Sequence, residues 1–155
     1  MQRRHFVVTA SGLIAAPAWA HHGWSSFDQS RPLYLEGKAR TVAWRNPHVE
    51  LELEVPADLK LPSDLAQRKL PAQASPVDGP KLLSQAQLPS RKDKVWEIEL
   101  APLTRMEAWQ VAEIKPGTGV AVLGFTHEGE KGDAVLRAEY IWVAGKAYGM
   151  RSSPA

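Results

Sequence analysis

Alternating apolar and polar residues predict a small β-protein. The clearest alternation runs from Val49 to Val55, where every second residue is valine or leucine and the residues between them are glutamates. A period of two is typical of a strand with one face buried and the other in water. Similar patterns predict five strands and one short helix in all. The strands are expected at residues 33–44, 48–55, 95–100, 119–125 and 134–143, and the helix at 103–110.

The order of these elements predicts an all-β fold with one short helix between the third and fourth strands. This order is typical of a small five-stranded Greek-key barrel of the oligonucleotide/oligosaccharide-binding (OB) type. Gly37 lies where the apolar residues of the first strand change face. A glycine at such a point favours the bulge or bend with which a strand closes a barrel. A half-open barrel would produce the same pattern, so both forms remain open.

The barrel domain is expected to span residues 33–145, with one insertion inside it, an arm before it and a tail after it. Residues 21–32 are expected to form an N-terminal arm anchored by Trp24 and Phe27. Residues 56–94 contain six of the twelve prolines and no aromatic residue, which predicts a flexible, Pro-rich surface insertion outside the core. Residues 146–155 are expected to form a loose C-terminal tail.

The first 20 residues resemble a cleavable export signal. They contain the basic pair Arg3-Arg4, a short apolar run and the sequence Ala18-Trp19-Ala20. This arrangement predicts cleavage after Ala20 and a periplasmic protein with no stable membrane insertion thereafter. The paired arginines followed by Phe6 partly match the twin-arginine pattern, so that route and the general secretory route both remain open.

Charge and composition argue against several classes of function. The chain has 19 Lys and Arg against 17 Asp and Glu, and since residues 1–20 hold Arg3, Arg4 and no acid, the remainder carries 17 of each. No basic stripe alternates with exposed rings, so nucleic acid is not an expected partner. The chain has no cysteine and no nucleophile elbow, so we expect a binding protein and not an enzyme. Its partner would be an unidentified periplasmic protein or small ligand.

Several short motifs occur together in a recognisable order. They are His21-His22, Leu35-Glu36-Gly37, Trp44-Arg45-Asn46-Pro47-His48 and Lys115-Pro116-Gly117. This set resembles a family of small exported bacterial proteins of unknown function, whose members begin with His-His after the signal and carry a Trp-x-Asn-Pro-His motif. The resemblance covers most of residues 20–143 apart from the insertion. Gly23 stands where the family usually has serine. The resemblance implies no activity.

His21, His22 and His48 are the candidate metal ligands. Cleavage after Ala20 would free the α-amine of His21, which can chelate one ion together with Nδ1 of the same residue. His48 leaves a corner made rigid by Pro47 and can complete a planar nitrogen set of the kind that suits Cu(II). His22 would be either a fourth ligand or a rival to His48.

The alternative is that no metal binds. In that case His21 and His22 form a mobile chain end, and His48 hydrogen-bonds within its turn. The protein would then be an accessory subunit, or a ligand- or partner-binding module, of a periplasmic complex. His127 is expected to lie exposed in a polar hairpin in either case.

Overall fold

The computed structural model describes residues 23–155, in which five strands close into a barrel and a sixth extends one edge. The strands are β1 Leu33–Ala43, β2 Glu50–Glu54, β3 Val95–Glu99, β4 Gly119–Phe125, β5 Val135–Val143 and β6 Lys146–Gly149. Strands β1 to β4 pair in antiparallel fashion, in the order β3-β2-β1-β4. Strand β5 pairs with β4 on one side and, in parallel, with β3 on the other, and β6 is antiparallel to β5.

The parallel contact between β3 and β5 closes the barrel. It places Ile98 beside Leu136 and Glu99 beside Arg137. Two short helices accompany the strands, α1 at Gly79–Gln85 and α2 at Leu103–Ala108. The β3–β5 pairing confirms the predicted five-stranded barrel in its closed form, and α2 lies between β3 and β4 as predicted. No helix in residues 23–155 has both the length and the apolar character needed to cross a bilayer.

The faces predicted to be buried fill the inside of the barrel. Val49, Leu51 and Leu53 are 0–2% exposed and pack with residues from every other barrel strand. Burying side chains of this size stabilises a fold by about 1.5–3 kcal/mol each. The predicted alternation of β2 is therefore confirmed, with its glutamates on the outer face.

The bend of β1 differs in detail from the prediction. The bulge lies at Arg40, between the pairs Ala39–Leu53 and Thr41–Glu52. Gly37 has another role: a Cβ at this position would overlap the carbonyl oxygen of Glu54. Glycine therefore allows β1 to approach the end of β2 closely enough to curve the sheet.

The prediction that residues 56–94 lie outside the core is wrong. Leu65 and Leu83, at 2% and 3% exposure, pack against Tyr34, Leu123 and Tyr140 on the outer face of the sheet. This second apolar cluster covers β1, β4 and β5 from outside. The insertion contributes isolated leucines between prolines, so its packing depends on the surface beneath it and not on a periodic stripe of its own.

The predicted loose tail is also wrong for most of its length. Residues 146–149 form β6, and Met150 is completely buried. The backbone N–H of Met150 donates to the carbonyl of Glu139 at 2.9 Å, and that of Ala74 donates to the carbonyl of Ser153 at 2.8 Å. The C-terminal residues therefore connect the barrel to the insertion.

Candidate functional site

The corner that precedes β2 is fixed by hydrogen bonds to the β3–α2 connection. Asn46 Oδ1 accepts from the backbone N–H of Leu103 at 3.0 Å, at the first residue of α2. Val49 N–H donates to the carbonyl of Ala101 at 2.8 Å. The Asn46–Pro47 peptide bond is cis. The stiffness predicted from Pro47 thus has a tertiary contribution as well, from a side chain that satisfies a helix N-terminus.

His48 leaves this corner as a largely buried side chain. It is 8% exposed, and its Nε2 lies 2.9 Å from Oε1 of Glu50. The carboxylate of Glu50 retains contact with solvent, with 17% of its side chain exposed. Residues two apart on an extended chain point to the same side, which explains this contact. The structure thus places an imidazole and a carboxylate together on the outside of the barrel.

A strip of charged residues extends from this pair across strands β2, β3 and β5. Glu50 faces Glu99 in the β2–β3 pairing, and Glu99 faces Arg137 in the β3–β5 pairing. Arg137 Nη1 lies 3.2 Å from Glu99 Oε2. Burial raises the pKa of the nearby Glu97, and the charges of Glu50 and Glu99 raise it further. The strip is therefore acidic around His48 and basic at β5.

The N-terminal arm docks at the basic end of this strip. The ring of Trp24 lies 5.0 Å from the guanidinium of Arg137, measured from its centroid to Cζ, and contacts Phe125 edge-on. Phe27 is 5% exposed and stacks on the ring of His127, with 4.9 Å between centroids. Trp24 and Phe27 thus anchor the arm as predicted. His127 is partly buried against the arm, so its predicted exposure is wrong.

His48 and the start of the arm lie on the same side of the barrel. Trp24 packs on Arg137 of β5, and His48 touches Glu50 of β2, with β3 between these strands. Two strand spacings correspond to about 10 Å. His21 and His22 lie outside the described residues. Within residues 23–155 no group of three or more His, Cys, Asp or Glu side chains is placed to hold a metal ion.

Glu50 is a candidate site residue that the sequence pattern does not single out. Its place in a strict alternation with Leu51 and Leu53 assigned it to a solvated face. The signal that could have identified it is the His48-x-Glu50 spacing, because residues i and i+2 of a strand share a face.

Part of the chain matches a known family. Residues 10–60 match the model of a family of unknown function, DUF6152. The matched segment contains the corner, His48 and Glu50 together with β1 and β2. The resemblance to a family of unknown function is confirmed for these residues. No curated protein and no solved structure matches the chain.

Proposed function

We propose that this protein is exported to the periplasm and binds Cu(II) between its N-terminal histidine and the His48–Glu50 pair. The donors would be the α-amine and Nδ1 of His21, Nε2 of His48 and Oε1 of Glu50. The observation that carries this proposal is the 2.9 Å separation of the last two atoms.

That separation fits two neighbouring ligands of one tetragonal ion. Nitrogen and oxygen ligands bind at about 2.0–2.1 Å, so two that are 90° apart are separated by about 2.8–3.0 Å. A square set of nitrogen and oxygen donors is the geometry that Cu(II) prefers among first-row ions. His48 and Glu50 would supply one edge of such a square.

The chain before Trp24 is long enough to supply the opposite edge. His21 precedes Trp24 by three residues, which span at most about 10 Å when extended. This length is similar to the two strand spacings between β5 and β2. An α-amine has a pKa near 8, so a metal displaces its proton readily at neutral pH. With Glu50 as the fourth donor, His22 would be a rival ligand.

The proposed role is to hold or deliver the ion, with an unidentified periplasmic protein as the partner and no reaction catalysed. The proposal requires removal of residues 1–20, since cleavage creates the amine at His21. N-terminal sequencing of protein recovered from the periplasm tests this step first. A mature chain that starts elsewhere than His21 would rule out the shared site.

Electron paramagnetic resonance of the mature protein with one equivalent of Cu(II) tests the ligand set. We expect a tetragonal spectrum with hyperfine coupling to three nitrogens at pH 7. His48→Ala should remove one nitrogen and weaken binding at least about tenfold. Glu50→Gln should change the spectrum and weaken binding, whereas the matched control Glu54→Gln, on the same face of β2, should do neither.

Two outcomes would contradict the proposal. If His48→Ala leaves the spectrum and the affinity unchanged, copper binds to His21 and His22 alone and the shared site is wrong. If the mature protein binds no copper near pH 7, the metal function is wrong, and the non-metal ligand- or partner-binding module becomes the proposed function.

A further inference from the structure

An apolar cleft of about 240 Å³ lies where the insertion leaves and rejoins the barrel. Its floor is formed by Leu35 and Trp96, which also belong to the barrel core. Its walls come from Val55 and Leu59 at the start of the insertion and from Leu88 near its end. We call this space the insertion cleft.

The side of the cleft next to Trp96 is held in place by Arg91. The guanidinium of Arg91 lies 5.6 Å from the ring centroid of Trp96, measured to Cζ. Its Nη1 donates to the carbonyls of Glu130 and Gly132 at 2.8 and 2.9 Å, and its Nη2 donates to Asp93 at 3.1 Å. Because Arg91 is fixed by three partners, this wall exists before any ligand arrives.

The rim of the cleft carries positive charge. The charges of Arg91 and Asp93 offset each other, since the two side chains form an ion pair. Lys92 and Lys94 also line the cleft and are exposed. In the ion pairs found across residues 23–155, neither lysine has a carboxylate partner. An apolar space with two available ammonium groups at its mouth complements a molecule with an apolar chain and an anionic end.

We propose that the insertion cleft binds a short anionic amphiphile, with its hydrocarbon chain over Trp96 and its headgroup at Lys92 and Lys94. A volume of about 240 Å³ equals that of roughly eight liquid water molecules, which is room for a chain of about six to eight carbon atoms. Each methylene group that becomes buried should tighten binding about fourfold. This site is separate from His48 and requires no metal.

Titration of the metal-free mature protein, followed by ¹⁵N–¹H NMR, tests the proposal. The probes are octanoate, hexanoate, hexanol and hexylammonium. The NMR signal of the Trp96 indole N–H should change its chemical shift with each probe that binds. The probe concentration needed for half of this change should follow the order of affinity. Octanoate, with two more methylene groups, should bind about fifteenfold tighter than hexanoate, and hexanoate should bind tighter than hexanol and hexylammonium. Equal affinities for hexanoate and hexylammonium, or no shift at Trp96, would overturn the proposal.

Two pairs of variants separate the chain-binding and headgroup-binding parts of the site. Ala57→Leu adds volume to the cleft wall and should abolish octanoate binding, whereas Ala112→Leu, also at an exposed position, should not. The double variant Lys92→Gln/Lys94→Gln should weaken octanoate binding about threefold to tenfold and leave hexanol binding unchanged. Its control, Lys81→Gln/Lys115→Gln, removes the same charge elsewhere. If both double variants bind octanoate equally, the headgroup site is wrong.

Discussion

Arg151 joins the N-terminal arm to a carboxylate buried in the barrel wall. Its guanidinium Cζ lies 3.9 Å from the centroid of the Trp24 ring, and its Nη2 lies 2.6 Å from Oε2 of Glu139. Glu139 is completely buried and is the extra residue at a bulge in β5, between the pairs Leu123–Tyr140 and Gly124–Ala138. The arm, the tail and the barrel therefore meet at one ion pair.

We predict that Arg151→Met destabilises the protein by about 3–5 kcal/mol, because it leaves the charge of Glu139 buried and unpaired. Equilibrium unfolding in urea measures this change. The double variant Arg151→Met/Glu139→Gln should recover part of the loss, since it removes both charges. The control is Arg40→Met, which removes an exposed ion pair with Glu52. It should change the free energy of unfolding by no more than about 0.5 kcal/mol. Equal losses for Arg40→Met and Arg151→Met would contradict the prediction.

Because the pKa of Glu130 is lowered in the folded protein, we predict that its contribution to stability is lost in acid. Burial alone would raise its pKa, but backbone N–H groups of Ser90 and Arg91 and the side chain of Arg31 outweigh burial and lower it. A lowered pKa stabilises the fold above the ordinary value of 4.5, and this contribution is lost as the pH falls through the folded-state pKa. Glu130→Gln should therefore cost about 1–3 kcal/mol at pH 7 and progressively less below pH 4.5.

Unfolding in urea at several pH values measures the difference between wild type and Glu130→Gln. Glu128→Gln, in the same loop but exposed, is the matched control and should have little effect at any pH. A difference that stays constant from neutral to acid pH would show that the carboxylate charge of Glu130 is not what stabilises the loop.

For Glu97, whose pKa is raised, we predict that the effect on stability depends on pH in the opposite direction. Burial first, and then the charges of Glu50 and Glu99, raise the pKa of its carboxyl group. The ionised form is therefore disfavoured in the folded state, and its cost appears as the pH rises through the folded-state pKa. Glu97→Gln should raise the melting temperature at pH 7, by a stabilisation of up to about 1 kcal/mol, and should have no such benefit in acid. Glu54→Gln is the control. If Glu97→Gln stabilises the protein equally at pH 7 and in acid, the raised pKa of Glu97 is not the cause.

Asn46 should contribute to stability through the hydrogen bond that it accepts from Leu103 N–H. Asn46→Ala should cost about 0.5–2 kcal/mol, the usual effect of removing an N-terminal helix cap. Asn46→Asp keeps the acceptor and should cost less, as thermal unfolding would measure. Because Asn46 holds the corner from which His48 leaves, Asn46→Ala should also weaken copper binding. If Asn46→Ala and Asn46→Asp are equally stable, the side-chain acceptor has no role in the corner.

The barrel could be predicted because its strands have a period of two, but the insertion could not. Leu65 and Leu83 are too far apart to form a stripe, and their burial depends on Tyr34 and Leu123 below them. A signal was nevertheless present in β4, which has apolar residues on both faces and therefore requires cover on both.

For the candidate site, the sequence identified His48 but not its contact with Glu50. The alternation that predicts β2 correctly treats every glutamate of the strand alike. Only the corner distinguishes Glu50 from Glu52 and Glu54, because it brings the ring of His48 against the first of the three. The distance between these side chains is a tertiary property, and no periodic pattern contains it.

The packing of residues 56–94 on the outside of the sheet limits how far the protein can be reduced in size. A shortened chain that joins β2 directly to β3 would keep the paired strands of the barrel but would lose Leu59, which packs against the barrel core. It would also uncover Tyr34, Leu123 and Tyr140, which are at most 2% exposed in the full protein. Contiguous apolar surface of this kind promotes self-association. A minimal barrel derived from this chain would therefore need polar residues at these three positions to avoid self-association through this face.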